Sequence, residues 1–229
     1  MKKLPVRLTP TQKTWGFSYL AFQFLVLQTL LVSANVLLGS PVSKAELNFL
    51  FFAINFFCTT IIFHRFLIDS GTIAFRQPLR TLSAAFYGFI LNYLGNIGIS
   101  LLIRCISPEF YNVNDSSIQT MAQENYMLIA VGTVILAPVA EELLFRALIF
   151  GDLYNRSRFL AYAISVILFS GVHVLGYIFE FSPIHLLLCF IQYVPSALIM
   201  GWVYARAGTI WSPILLHIVI NLIAILSMR

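Results

Sequence analysis

Apolar stretches of roughly twenty residues recur along the whole chain, and no other feature of the sequence constrains its fold as much. They lie near 15–38, 46–67, 82–103, 126–150, 159–180, 184–204 and 209–227, and each is about long enough to cross a hydrocarbon core ~30 Å thick. In lipid every backbone donor and acceptor has to be satisfied within the protein, so these segments predict about seven helices in an all-α, polytopic transmembrane bundle. Composition agrees. Of 229 residues 59% are hydrophobic and only 10% are charged, against about half and about a quarter in an ordinary soluble domain.

The net charge of +5 does not point to nucleic acid, because the basic residues are spread through short loops and form no patch with aromatics. Their sidedness carries the information. Lys2, Lys3, Arg7, Lys13, Arg65, Arg76, Arg80, Arg156, Arg158 and Arg206 fall on one side of the predicted spans, whereas Lys44, Arg104 and Arg229 fall on the other. The N-terminus is therefore expected in the cytoplasm and the C-terminus outside. No cleavable signal peptide is expected, since the first apolar run exceeds an h-region and no small-residue cleavage site follows it. The polar stretch Ser107 to Asn125 reads as a loop. Cys58, Cys105 and Cys189 lack metal or redox spacing and read as small core residues. One integrated membrane domain is predicted, with residues 1–125 as scaffold helices and 126–229 carrying the chemistry.

The first three spans are rich in Phe and Leu. Asn55 is expected to hydrogen-bond between helices, and His64 and Arg65 to reach the headgroups from a helix end. The fourth span differs, since VGTVILAPVAEELLFRALIF places two adjacent carboxylates and an arginine inside it. A charge at the bilayer centre costs at least ~2.5–3.5 kcal/mol on insertion scales, so three such residues need partners or a water-filled cavity. A structural ion-pair cluster locking the bundle is the plainer alternative.

At ~100° per residue, Glu142 and Arg146 lie four apart on nearly one face and can pair. Glu141 is turned about 100° away and projects toward another helix, which makes it the freer carboxylate and the candidate general base. Pro138, one turn upstream, removes a backbone bond and is expected to bend the helix. The fifth span carries Phe169 and His173 four apart, and the seventh carries His217 and Asn221 four apart. A lone buried histidine is usually a satisfied core residue, but two of them in the same half-chain as a carboxylate pair point to a site. Ser212-Pro213 reads as an N-cap followed by proline at the first helical position, leaving Gly208 to Trp211 as a break facing a cavity.

Glu141-Glu142-x-x-x-Arg146, Phe169-x-x-x-His173 and His217-x-x-x-Asn221, in that order on successive apolar helices, resemble the CPBP family. This is the CAAX protease and bacteriocin-processing (Abi) family, which includes the type II CAAX prenyl proteases. The resemblance covers roughly residues 126 to 227, and Gly201-x-x-Tyr204 with Gly208-Thr209-Ile210 is similar to the family's weaker third motif. It implies an intramembrane endopeptidase in which Glu141 and His173 activate water while His217 and Asn221 stabilise the oxyanion; the helical spacing makes Glu142 and Arg146 the pair that fixes the helix. That division suits peptide hydrolysis, which needs a base for water and donors aimed at the developing charge. No Ser or Cys nucleophile is arranged beside a base: Ser170 lies three residues from His173, and Cys189 is unaccompanied. No cofactor is favoured. Zinc held by Glu141, His173 and His217 is the alternative, although HExxH is absent and the ligands would come from three helices.

Two further readings stand beside the protease. An ion-coupled transporter would also bury Glu, His and Arg, but no internal repeat relates the two halves. A bacteriocin self-immunity or peptide-binding protein would keep the fold without cutting. The expected partners are the lipid bilayer and a peptide or a prenylated or otherwise lipidated protein. Short loops without appended domains lean toward a bacterial plasma membrane. The sequence is silent on oligomeric state.

Overall fold

The computed structural model describes residues 3–37, 39 and 42–228, so Lys2 and Arg229 of the charge asymmetry lie outside the described residues. Eight helices follow one another, and among the described residues there is no strand. They are α1 Pro10–Leu37, α2 Lys44–Arg76, α3 Pro78–Ile106, α4 Val113–Glu124, α5 Tyr126–Tyr154, α6 Arg158–Leu175, α7 Pro183–Ala207 and α8 Trp211–Ser227. Six of them (α1, α2, α3, α5, α6 and α7) are long and apolar enough to cross a membrane. The chain is a multi-pass integral membrane protein.

Local chemistry sets most helix starts. Thr9 with Gln12 and Ser43 with Glu46 form capping boxes that satisfy free backbone donors at the starts of α1 and α2. Proline opens α1, α3 and α7, where a missing N–H removes nothing from the helix. The Ser-Pro start expected at Ser212-Pro213 is found instead at Ser182-Pro183, whose serine accepts from the His185 N–H. Ser212 lies inside α8 and donates to the Thr81 carbonyl at 2.8 Å. The break before α8 meets a cavity only at Trp211, which lines one of about 360 Å³ beside Gly71, Pro78 and Leu215. Gly208 ends α7 at φ +76°, a conformation glycine reaches without Cβ strain. Thr209 and Ile210 then turn inward, both fully buried, and bond to Ser70 of α2 at 2.8 Å each.

Two other expectations fail in the connections. The stretch read as a loop holds the helix α4, capped by Asn112, and Ile118, Met121 and Ala122 pack against Ala45, Ile129 and Ile225. The fifth span ends at Leu175, five residues early, in a run of turns. Asn55 does bond between helices, accepting from the Tyr19 hydroxyl at 3.0 Å. Cys189 is buried and Cys58 half-buried, but Cys105 is exposed on α3 and is not a core residue.

Helix α5 is the centre of the bundle. Of its apolar window 61% is buried inside protein, against 6% for α1. α2, α6 and α8 pack around it, and α7 spans the interval between α6 and α3. Lipid tails are as apolar as leucine, so close packing holds such helices together more than apolar transfer does. Gly201 shows this, because a Cβ there would lie 2.9 Å from the Phe150 ring. The glycine lets α7 close onto Phe150 and Tyr162.

Candidate active site

Helix α5 is not wound uniformly. Gly132–Leu136 and Glu142–Phe150 are π-helical, with bonds such as Ala137 N–H to Gly132 O and Gly151 N–H to Arg146 O. Such wide turns are frequent at functional sites. Pro138 accounts for the first, since it has no N–H for the Val134 carbonyl and its ring would crowd that oxygen. The expected effect of Pro138 therefore takes the form of a widened turn. One oxygen loses both backbone partners as a result. The α-helical partner of Thr133 O, the Ala137 N–H, has gone to Gly132, and its π-helical partner would be Pro138. Asn221 of α8 donates its side-chain amide to that oxygen at 2.7 Å.

Of the six residues picked out by their spacing, Glu141, Glu142, Arg146 and His217 are drawn into one cluster. His173 joins it through the Phe169 ring, and Asn221 lies one turn along α8 from His217. By burial the six divide into two sets. Glu142 and Arg146 are fully buried and His217 is 6% exposed. Arg146 Nη1 lies 3.2 Å from Glu142 Oε1, as the helical spacing predicts, despite the wider turn. His217 Nδ1 reaches the same oxygen at 3.0 Å. A carboxylate can only accept, so Nδ1 of His217 carries the proton and Nε2 is the nitrogen left for other chemistry. Glu141, His173 and Asn221 form the second set, each half-buried. Glu141 makes no hydrogen bond to any described residue, and its Oε2 is buried 3.9 Å from His217 Nε2. His173 Nδ1 donates to the Phe169 carbonyl at 2.7 Å, which again leaves Nε2 free, within electrostatic reach of Glu141.

Two further side chains organise this arrangement, Phe169 of the motif and Tyr193, which the spacing did not mark. The Phe169 ring sits between the two histidines, its centroid 4.8 Å from that of His173 and 6.0 Å from that of His217. Its face also carries the Arg146 guanidinium at 4.0 Å, a cation–π contact for a charge held inside the bundle. Tyr193 of α7 stacks on His173 with centroids 4.2 Å apart and planes at 27°. Its hydroxyl lies 3.0 Å from Asp115 Oδ1 and 3.2 Å from Asn112 Oδ1, and accepts from Asn114 Nδ2 at 3.1 Å. The start of α4 is thereby docked over the site. His64 stays apart, bonded to Ile61 of its own helix, and Cys189 packs in a separate cluster with Val113 and Leu186. The Ser170 hydroxyl is buried and meets no base.

A catalytic zinc needs its ligand atoms converging at about 2.0–2.2 Å from one point. Among the described residues, no three His, Cys, Asp or Glu side chains are placed to hold a metal ion. As arranged, Glu141, His173 and His217 do not fit that ion.

Residues 123–223 match the family described as type II CAAX prenyl endopeptidase, Rce1-like. A Bacillus subtilis (strain 168) protein carrying the name "Putative membrane peptidase YdiL" is 33% identical over 109 residues. The alignment covers 47% of this chain and 40% of that protein, so the chain spans well under two thirds of the relative it matches. No solved structure matches. The family resemblance read from the motifs is therefore borne out over the segment that holds all six site residues.

Proposed function

We propose that the protein is an intramembrane endopeptidase, hydrolysing peptide bonds of membrane-associated or lipidated peptides with water activated by Glu141 and His173. One observation carries the reading. Of the two neighbouring carboxylates, Glu142 is engaged by Arg146 and His217, whereas Glu141 is half-buried and has no hydrogen-bonding partner among the described residues. A structural ion-pair cluster is complete with Glu142 and has no use for a second carboxylate that accepts no hydrogen bond. A hydrolase does, because it needs a base in reach of water and substrate.

In this reading a water held by Glu141 and His173 Nε2 gives its proton to Glu141 as its oxygen attacks the scissile carbonyl. The oxyanion is met by His217 Nε2 and by the second amide N–H of Asn221. Because the Nδ1–H of His217 is donated to Glu142, its Nε2 donates in the imidazolium form, whose charge Glu141 and Glu142 flank. Glu141 then returns its proton to the leaving amine. Each donor is fixed before reaction, and such preorganisation makes oxyanion stabilisation effective. Phe169 and Tyr193 hold the two rings.

The test is to incubate the purified full chain in nanodiscs with membrane-inserted peptides, in prenylated and unprenylated forms, and to map products by mass spectrometry. Cleavage by the native protein that vanishes in Glu141→Gln, with unchanged thermal unfolding, is the expected result. Equal cleavage by the variant ends the proposal. The prenylated and unprenylated arms decide whether the substrate is a CAAX-type tail or a leader-type peptide.

A further inference from the structure

At one end of the bundle the N-terminal stretch folds back across the helix ends and encloses a cavity of about 210 Å³. Leu4 and Leu8 anchor it, both buried in the main core, and the Leu4 N–H donates to Asn155 Oδ1 at 3.1 Å. Lys3 and Arg7 on the same stretch line the cavity, together with Lys13 of α1 and Arg156 beyond α5. One carboxylate faces these four cations. Asp152 pairs with Lys13 through one oxygen and with Arg156 at 3.5 Å through the other, which leaves a formal excess of three positive charges. Lys3 and Arg7 make no hydrogen bond or ion pair with any described residue. Tyr204 also lines the cavity. Its ring is 2% exposed, and its hydroxyl, beside Gly151, has no bonded partner among the described residues.

We propose that this cavity binds a phosphate group carried by an anionic phospholipid. Two uncommitted cations and a phenolic donor line one cavity, and charge-assisted hydrogen bonds from such groups suit a phosphate. The surroundings favour a lipid as its carrier. The cavity opens on the more basic face of the bundle, where anionic headgroups are attracted. Val6, Leu8 and Phe66 form apolar wall, and Trp15, two residues beyond Lys13 and 63% exposed, marks an interfacial position. Loop cations that only set orientation need not surround a cavity. Arg65 and Arg76, exposed on α2 and outside it, supply the comparison.

The full chain is purified in detergent and tested in two arms. In one, inorganic phosphate alone is titrated while thermal unfolding is followed; in the other, the protein is equilibrated with vesicles of phosphatidylglycerol in phosphatidylcholine and the retained lipid is counted by native mass spectrometry. Phosphatidylglycerol should be retained in preference to phosphatidylcholine. Lys3→Gln with Arg7→Gln should weaken that retention roughly thirtyfold, from about 1 kcal/mol for each charge near the surface. Both side chains are exposed and bond to no described residue, so the exchange removes no contact of the fold. Arg65→Gln with Arg76→Gln, the same change in charge, should weaken it far less. Equal loss in the two pairs, or no headgroup preference, overturns the site. Binding of inorganic phosphate that depends on Lys3 and Arg7, without lipid retention, overturns the lipid assignment and makes free phosphate the ligand.

Discussion

Asn221 donates to the Thr133 carbonyl at 2.7 Å, and Pro138 is what makes that oxygen available. The expected consequence is a split between stability and activity in Pro138→Ala. Alanine restores an N–H, lets α5 satisfy its own carbonyls and weakens the anchor of Asn221. Thermal stability should hold or rise, while kcat falls roughly 10- to 100-fold, the scale of a misplaced catalytic group. Asn221→Ala should lower turnover by about two to three orders of magnitude. It should also cost ~1–3 kcal/mol, because a buried carbonyl is left unpaired. Full activity in Pro138→Ala would show that Asn221 needs no such anchor.

The two glutamates should separate cleanly. Glu141→Gln removes the proton acceptor and touches no hydrogen bond to described residues, so activity should vanish at unchanged stability. Glu142→Gln and Arg146→Ala should both lower stability by ~3–5 kcal/mol, the penalty for stranding one member of a buried pair. Denaturation midpoints measured beside cleavage rates decide it. An inactive but fully stable Glu142→Gln, with an active Glu141→Gln, would reverse the two roles.

Tyr193 should act through His173. Tyr193→Phe keeps the 4.2 Å stack and loses only the bonds to α4, so most of kcat should survive. Tyr193→Ala frees the imidazole and should lower kcat roughly 10- to 100-fold with little change in KM. A residue that merely held α4 in place would be as badly affected by phenylalanine as by alanine. Steady-state kinetics on both variants distinguishes the two roles.

Helix α8 decides the topology. Its 17 residues span about 25 Å, less than an average hydrocarbon core of ~30 Å. If it crosses, the chain has seven passes, and a reporter fused after Arg229 should read the outside face, with one after Arg156 reading the cytoplasm. The charge asymmetry predicts that result. A cytoplasmic signal after Arg229 would mean that α8 does not cross or that the orientation is inverted.

The spacing of Glu142 and Arg146 was enough to predict their pairing, because it lies within one helix. The bond from Glu142 to His217 was not legible, since the partners come from α5 and α8 and no local pattern encodes which helices meet. Tyr193 and Asp115 were missed for the same reason. Pro138 offered a signal that went unused: a proline inside a span strips a carbonyl of its donor, so some side chain, here Asn221, had to replace it. Helix α4 was also within reach, through Asn112 as a cap and Ile118, Met121 and Ala122 at helical spacing, but its polar composition masked it. Ser212-Pro213 and Ser182-Pro183 carry the same local device. Only packing, through the Thr81 carbonyl, distinguishes them.

Activity should survive chelation. His217 turns Nδ1 to Glu142, His173 turns Nδ1 to the Phe169 carbonyl, and Glu141 Oε2 lies 3.9 Å from His217 Nε2. A zinc ion would require the carboxylate and both Nε2 atoms to draw together from three helices, with no two ligands on one helix to start the site. Elemental analysis of active protein should therefore find less than stoichiometric transition metal, and cleavage should be unchanged after dialysis against a strong chelator. The opposite result has a specific structural meaning. A carboxylate on the far nitrogen of a histidine is the usual support of a zinc ligand. One zinc per chain, with activity lost on chelation and restored on its return, would make His217 a ligand and Glu142 the group that orients it, and would overturn the metal-free reaction.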